Sequence, residues 1–325
     1  MKEEQLIFII SQPRSGSTYL QNLLSNNTEV NTCSEPWLLL YFANQIKPSL
    51  LSADFNNQKT EEAFQEYLSK FPQLNFEATF KDFLLKLYAP MYQGFTYVID
   101  KTPRYWELIE ELPILFPKSK ILIIKRNPVD VLISIIKTWN LNTLRDLNEY
   151  RNDILLAPHK IQSFVRTQKN NPNVCVVKYE DVIDNPQEIV KNLYQWIGLE
   201  YSDAVLQTGN NEKYKGKFGD PFQNADAEPG LLRQHSKKME INPKMQEFIM
   251  GYKEFLSSDF LKEYGSYSVE GGQRTDIFNT FLNNKQEVSV NTELQYLKNS
   301  TSFKLGRLIL APYRIIKNTF LKYFI

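Results

Sequence analysis

The sequence predicts a doubly wound α/β domain, in which helices cover both faces of a parallel sheet. Two observations lead to this prediction. Short runs of apolar and β-branched residues, bounded by polar turn residues, alternate along the chain with segments of helical periodicity. The runs are also apolar nearly throughout, as expected for parallel strands that are buried on both faces.

Four runs are predicted to be strands, and they lie at residues 6–10, 97–99, 121–124 and 174–177. Apolar residues three or four positions apart predict covering helices, as in the sets Leu20, Leu23, Leu24 and Phe80, Phe83, Leu84, Leu87. Asparagine favours the N-cap of a helix and proline its first position. Three further helices are therefore predicted to begin at Asn127-Pro128, Asn185-Pro186 and Asn242-Pro243.

The chain is predicted to divide into a packed domain (1–267), a polar linker with some helix in it (268–302) and a basic amphipathic C-terminal segment (303–325). Within the domain, residues 201–238 lack periodicity and are predicted to form long loops. The C-terminal segment has five basic residues and no acidic one, which suits an anionic membrane surface. Because Gly306 and Pro312 interrupt a single long helix, docking on the domain is the alternative.

Charge and cysteine content exclude several classes of protein. The 325 residues carry a formal net charge of only +1, which argues against a nucleic-acid binder held by its overall charge. Two cysteines without CxxC spacing exclude a disulfide scaffold and favour a reducing compartment. With no visible export signal and no run of about 18 apolar residues, we expect a cytoplasmic protein, peripheral to the inner face of the membrane if the C-terminal segment binds there.

A candidate anion site follows the first predicted strand directly. Residues 11–18 read Ser-Gln-Pro-Arg-Ser-Gly-Ser-Thr and lead into an amphipathic helix. Unpaired N–H groups at a helix start attract phosphate-like anions, and the loop adds the Arg14 guanidinium and the hydroxyls of Ser15, Ser17 and Thr18. The order strand, loop, helix fits a phosphate loop, although the GxxxxGK[ST] pattern of a Walker A motif is missing. A strand–helix turn rich in capping residues is the alternative interpretation.

A second candidate anion site follows the strand predicted at 121–124. Arg126 stands at its carboxyl end, where ligands bind in a parallel α/β sheet. Ser134 lies seven residues beyond the predicted N-cap Asn127, about two helical turns later and on the same helix face. Arg126 and Ser134 are therefore predicted to reach one anion in the crevice that the Arg14 loop also borders.

Together these motifs resemble those of sulfotransferases that use 3′-phosphoadenosine 5′-phosphosulfate (PAPS). Residues 12–18 resemble the 5′-phosphosulfate loop of that family, including Gly16, and the pair Arg126 and Ser134 resembles its 3′-phosphate site. The stretch Tyr179-Glu180-Asp181 resembles the segment whose tyrosine contacts the adenine. The resemblance spans residues 6–199 and implies a P-loop-like sulfotransferase fold, PAPS as co-substrate and no metal.

The resemblance is to the carbohydrate and tyrosyl-protein branches, which use a carboxylate as the base. Arg14 stands where the cytosolic small-molecule branch has lysine, and no histidine follows Asp100-Lys101. Glu35, 21 residues after Arg14, lies where the tyrosyl-protein branch has its catalytic glutamate, so Glu35 is the preferred base and Asp100 the second candidate. Lys101 is a further candidate for contacting the donor. The acceptor is expected to be a glycan or another bulky hydroxyl compound.

The histidines, several aromatic residues and two other functions are less favoured by the sequence. His159 and His235 follow no predicted strand and are interpreted as surface residues. Four aromatic residues are assigned to the core, with stacking in a sugar-binding groove as the alternative: Trp37, Tyr105, Trp106 and Trp139. The alternative functions are a nucleotide-dependent phosphotransferase with a P-loop-like fold, which would need a Walker lysine, and a non-catalytic membrane-associated scaffold.

Overall fold

The computed structural model describes residues 1–50, 56–207, 218, 240–265 and 273–283. Within these residues one parallel sheet has the strand order β2-β3-β1-β4-β5. The strands are β1 (Leu6–Ser11), β2 (Val30–Thr32), β3 (Tyr97–Lys101), β4 (Lys120–Lys125) and β5 (Val174–Lys178). Because β1 is central and the chain moves first to one side of it and then to the other, the predicted doubly wound α/β fold is confirmed.

Helices connect the strands. Those up to β3 are α1 (Ser17–Ser25), α2 (Leu38–Tyr41), α3 (Ala43–Ile46), α4 (Asn57–Lys70) and α5 (Phe76–Tyr92). Between β3 and β5 come α6 (Leu112–Leu115), α7 (Pro128–Trp139), α8 (Leu144–Leu147), α9 (Arg151–Leu155) and α10 (Ala157–Thr167). After β5 follow α11 (Tyr179–Asp184), α12 (Pro186–Ile197), α13 (Pro243–Leu256), α14 (Ser258–Glu263) and α15 (Asp276–Asn283). Short 3₁₀ helices lie at Glu3–Gln5, Pro48–Leu50, Pro103–Leu108, Asn148–Tyr150 and Asp203–Leu206.

The sheet is buried on both faces because side chains alternate along each strand. On one face, Phe8 and Ile10 pack with residues of α5, α10 and the Pro103–Leu108 helix. On the other face, Ile7 and Ile9 pack with α1 and α12. This alternation explains why the strands appear in the sequence as continuous apolar runs.

The three helices predicted from Asn-Pro pairs begin where expected. The Asn127 side chain accepts a hydrogen bond from the Val129 N–H, and the Asn242 side chain accepts one from the Met245 N–H. Asn185 precedes α12 without such a side-chain bond. The proline in each pair occupies the first helical position, where no N–H donor is required.

Strand β2 was not predicted from the sequence. It has three residues, and only its first, Val30, is apolar, so the segment has no recognisable period. Its structure depends on backbone pairing with β3, in which Val30 lies opposite Tyr97 and Thr32 opposite Ile99. Long-range pairing of this kind leaves no local signal in the sequence.

Helix α15 lies within the predicted linker 268–302 and is packed into the core. Its Phe278 and Phe281 are buried against Phe248 of α13, at ring-centroid distances of 5.2 and 5.0 Å.

Most of the loops predicted at 201–238 and all of the segment 303–325 lie outside the described residues. The three-part division of the chain therefore stays a prediction. In the part of the chain that the structure describes, no helix is long and apolar enough to cross a bilayer.

Candidate active site

The loop between β1 and α1 has two residues in the left-handed region. Arg14 has φ 70° and Gly16 has φ 86°. Gly16 is the N-cap of α1 and has no side chain that could accept hydrogen bonds from the first turn. The N–H groups of the first turn, beginning at Ser17, are therefore available to an anion. This geometry supports the phosphate-loop interpretation over that of a side-chain-capped turn.

Arg126 and Tyr179, which follow β4 and β5, contact this loop. Nη1 of Arg126 donates to the backbone oxygen of Arg14 at 2.8 Å. The Arg126 guanidinium also lies over the Tyr179 ring at 4.4 Å from its centroid. Tyr179 packs so closely on the loop that a Cβ on Gly16 would lie 2.3 Å from the ring. The residues predicted from three separate motifs thus form one cluster at the carboxyl ends of β1, β4 and β5.

Two polar atoms in this cluster suit an anionic ligand. Ser15 Oγ and Arg126 Nε are buried, and neither has a hydrogen-bond partner among the described residues. A buried polar atom without a partner costs free energy, and a phosphate or sulfate oxygen would accept a hydrogen bond from either donor. Ser17 and Thr18 are the first two residues of α1, and half-buried Ser134 lies on α7, two turns after its cap.

Glu35, the preferred base, follows β2 and is held by two partners. Its Oε1 accepts from Lys101 Nζ at 2.8 Å, and its Oε2 accepts from the Trp37 indole N–H at 3.1 Å. The Lys101 side chain is 1% exposed and that of Glu35 is 14% exposed. The pair is therefore largely screened from water, which strengthens its electrostatic interaction and fixes the direction of the carboxylate.

Asp100, the second candidate base, does not face this cluster. It lies opposite Phe8 in the sheet, is fully buried, and accepts hydrogen bonds from the hydroxyls of Tyr88, Tyr105 and Thr102 at 2.6 to 2.8 Å. Burial raises the pKa of Asp100 to about 6, although these hydroxyl bonds act to lower it. Asp100, the second candidate base, therefore lies in the core and not at the crevice. Its partners are hydroxyl groups and not the neighbouring cations Lys101 and Arg104.

A network of side-chain contacts, linked to Glu35 through Trp37, was not predicted from the sequence. Arg104 lies over the Trp37 ring at 5.2 Å, and its Nε and Nη2 donate to the buried Asp153 carboxylate at 3.0 and 2.8 Å. The Asp153 backbone oxygen accepts from Gln12 Nε2, at the start of the anion loop, at 3.0 Å. Burial raises the pKa of Asp153, although Arg104 acts to lower it. Asp153 lies far along the chain on α9, so no local motif indicated its position.

The aromatic residues assigned to the core divide into two groups. Tyr105 and Trp106 are fully buried as expected. Trp37 and Trp139 instead lie at the site, since Trp37 binds Glu35 and the Arg14 guanidinium lies 5.6 Å from the Trp139 ring.

His159 is exposed on α10 near Phe255 and Phe260, and His235 lies outside the described residues. Across the described ranges, no group of three or more His, Cys, Asp or Glu side chains is arranged to hold a metal ion.

Comparisons with known proteins show to which family the chain is similar. A family model described as "Sulfotransferase family" matches residues 6–203. The nodulation protein NoeE of Sinorhizobium fredii is 23% identical over 238 residues, covering 66% of this chain and 55% of its own. Protein-tyrosine sulfotransferase 2 of Gallus gallus is 26% identical over 221 residues, covering 67% of this chain and 57% of its own. The chain therefore spans little more than half the length of these two relatives.

Among solved structures, a sulfotransferase from Alicyclobacillus acidocaldarius is similar, with a TM-score of 0.47 and 14% identity. The similarity covers 81% of this chain and 96% of the other.

Proposed function

The chain belongs to the sulfotransferase family, and from this premise we propose that it transfers a sulfuryl group from PAPS to an acceptor hydroxyl. The main support is the convergence of the Arg14 loop, Arg126 and Tyr179 beside the Glu35–Lys101 pair. One end of this cluster suits the two phosphate groups of the donor, and the other end holds a carboxylate that could take up a proton.

On the donor side, we assign the 5′-phosphosulfate to the loop 14–18 and the 3′-phosphate to Arg126 and Ser134. The N–H groups of α1, the Arg14 guanidinium and the hydroxyls of Ser15, Ser17 and Thr18 supply donors for the first anion. Arg126 is already fixed by Arg14 and Tyr179, so little side-chain entropy is lost on binding. Tyr179 offers its ring to the adenine.

On the acceptor side, we assign the base to Glu35. Its carboxylate accepts the hydroxyl proton while the acceptor oxygen forms a bond to sulfur and the bond from sulfur to the 5′-phosphate oxygen breaks. The products are the sulfate ester and 3′,5′-adenosine bisphosphate. Lys101 and Arg14 stabilise negative charge that develops on the transferring group and the leaving phosphate, as in phosphoryl transfer.

The proposed acceptor is a glycan hydroxyl, with a protein tyrosine as the second candidate because a relative is named for that activity. A nucleotide-dependent phosphotransferase is disfavoured because the loop lacks a Walker lysine. A non-catalytic scaffold is disfavoured because it would not need the buried Glu35–Lys101 pair. Cys33 and Cys175 are both free, which suits the proposed cytoplasmic location.

Arg126→Ala tests the donor assignment. We expect the affinity for 3′,5′-adenosine bisphosphate, measured by calorimetry, to fall about ten-fold or more, since a charge-assisted contact contributes about 1.5–3 kcal/mol. Arg166→Ala is the matched control, because Arg166 is an exposed arginine paired with Glu263. Unchanged affinity in a folded Arg126→Ala protein would refute the second anion site. Labelled PAPS supplied with oligosaccharides or tyrosine peptides then identifies the acceptor class.

A further inference from the structure

A cavity of about 660 Å³ is lined in part by Trp37, the residue that also contacts the candidate base Glu35. It is lined by residues 36–38 and 40–42, which run from just before α2 to just after it, and by Arg104 and Glu107 from the 3₁₀ helix after β3. None of these lining residues is among those assigned to the donor.

Trp37 lies between the cavity and the candidate base Glu35. Its indole N–H donates to Glu35 Oε2 at 3.1 Å, and the residue also lines the cavity. The Arg104 guanidinium covers the ring at 5.2 Å. A molecule in the cavity therefore contacts the same side chain that orients the Glu35 carboxylate.

The charged groups of the cavity wall are already paired. Arg104 forms an ion pair with Asp153 at 2.8 Å, and Glu107 forms one with Lys160 at 3.5 Å. The rest of the lining is apolar or aromatic. A ligand with many hydroxyl groups would leave several of them without partners here, which costs free energy on burial.

The apolar surface also continues outward from the cavity. The rings of Tyr41 and Phe42 lie 5.1 Å apart, and Phe42 lies 5.4 Å from Phe83 on α5. The exposed fractions are 83% for Tyr41 and 42% for Phe83, both high for aromatic residues. An apolar ligand group would shield these rings from water, and this is a favourable contribution to binding.

We propose that this cavity binds an apolar part of the acceptor, so that the acceptor is an amphiphilic hydroxyl compound. This inference rests on the proposed sulfuryl transfer and narrows its acceptor class. A glycan acceptor would then carry an aglycone or lipid-like chain, which lies in the cavity while a hydroxyl group reaches Glu35. A sugar without such a group lacks the main source of binding free energy.

A matched pair of probes tests the proposal. Octyl β-glucoside and methyl β-glucoside offer the same sugar hydroxyls but differ in their apolar group. With 3′,5′-adenosine bisphosphate bound and octyl glucoside below its micelle concentration, calorimetry should show about ten-fold or more tighter binding of the octyl compound. Transfer from labelled PAPS should favour the same compound. Equal binding of the two glucosides would overturn the proposal, whereas absent binding of the adenosine bisphosphate would instead refute the proposed function.

Two tyrosine variants locate the bound probe. Tyr41→Asp places a charge on the cavity wall at an exposed position, so it should weaken octyl glucoside binding several-fold while the protein stays folded. Tyr67→Asp is the control, since Tyr67 is a half-exposed tyrosine on α4 that does not line the cavity. Octyl glucoside binding that survives Tyr41→Asp unchanged, or that is lost in Tyr67→Asp instead, would place the apolar site elsewhere and overturn the proposal.

Discussion

Asp100 and Lys101 are adjacent charged residues of β3 that lie on opposite faces of the sheet, because side chains alternate along a strand. Asp100 shares a face with Val98 and lies in the core below α5, where three hydroxyl groups replace water. Lys101 shares a face with Ile99 and reaches Glu35. A shift of one position along a strand therefore decides whether a side chain is buried in the core, as Asp100 is, or contacts Glu35, as Lys101 does.

The first prediction at this scale concerns the base. Glu35→Gln keeps the size and hydrogen bonding of the side chain but cannot accept a proton, so turnover should fall about 10²- to 10⁴-fold. Calorimetry should show that binding of 3′,5′-adenosine bisphosphate barely changes. Asp100→Asn should cost less turnover in protein that remains folded. If Asp100→Asn abolishes turnover and Glu35→Gln retains most of it, the two roles are reversed. If neither change matters, the carboxylate mechanism is wrong and His235 becomes the next residue to test.

The second prediction concerns the pH dependence of stability. Burial raises the pKa of Asp100 to about 6, above the value of about 3.9 in an unfolded chain. Between these values the folded protein binds more protons than the unfolded one, so this group makes the free energy of unfolding fall as pH rises. The loss should approach roughly 3 kcal/mol and level off above the folded pKa.

Asp100→Asn removes this ionisation and serves as the reference. Urea unfolding between about pH 4 and pH 7 should show wild type losing stability relative to the variant across the interval in which the carboxyl ionises. A difference between the two proteins that stays constant with pH would mean that Asp100 ionises in the folded state as readily as in the unfolded state.

At the scale of secondary-structure elements, the site is made from the carboxyl ends of all five described strands. Glu35 follows β2, Lys101 ends β3, the Arg14 loop follows β1, Arg126 follows β4 and Tyr179 follows β5. Parallel pairing brings these ends to one edge of the sheet, although the residues are spread over more than half of the chain. The β1–α1 loop packs against Tyr179, at the start of α11, with no room for a Cβ atom on Gly16.

Gly16→Ala tests that contact. The methyl group would meet the Tyr179 ring at 2.3 Å, so the ring or the loop must move, and we expect the affinity for 3′,5′-adenosine bisphosphate to fall about ten-fold or more. Gly94→Ala is the control, because Gly94 has a similar φ of 81° but nothing within 4 Å of the added carbon. Both variants should lose about 1 kcal/mol of stability from backbone strain. Equal donor affinity in the two variants would mean that Tyr179 tolerates a displaced position.

At the scale of the whole molecule, the packed core extends beyond the residues that resemble the family. Helices α7, α13 and α15 form a separate cluster beside the sheet, with Phe248 and Phe281 at its centre. Gly251 allows close approach, since a Cβ there would lie 2.4 Å from Cβ of Phe278. Helix α7, which belongs to this cluster, also carries Ser134.

The stability of this cluster can be measured in the full chain. Phe281→Ala should lower the free energy of unfolding by about 3–5 kcal/mol, because it leaves a cavity in a fully buried aromatic cluster. Phe71→Ala, at an exposed position after α4, should cost much less. Urea unfolding of both variants checks the comparison, and a small loss for Phe281→Ala would show that α15 contributes little to the folded domain.

The final prediction concerns residues 303–325, which lie outside the described residues. Their five basic and 14 apolar or aromatic residues suit an anionic membrane surface, where each basic residue contributes about 1 kcal/mol. If the segment binds lipid, the full chain should sediment with anionic liposomes and a chain ending at Ser302 should not. Equal sedimentation, or a shortened chain that fails to fold, would instead favour docking on the domain.

Local patterns in the sequence were sufficient to predict the α/β class, which the fold confirms. The anion loop, the Arg126 site and Glu35 as the base are predicted from motifs within short stretches of chain, and these assignments stay predictions. The difference between Glu35 and Asp100 became visible in the folded structure, because strand register and burial place Asp100 in the core. The tertiary structure also revealed β2, and the Asp153–Arg104–Trp37 network, whose members come from three distant segments. Contacts between distant segments leave no period or motif in either partner, so they become visible only when the chain has folded.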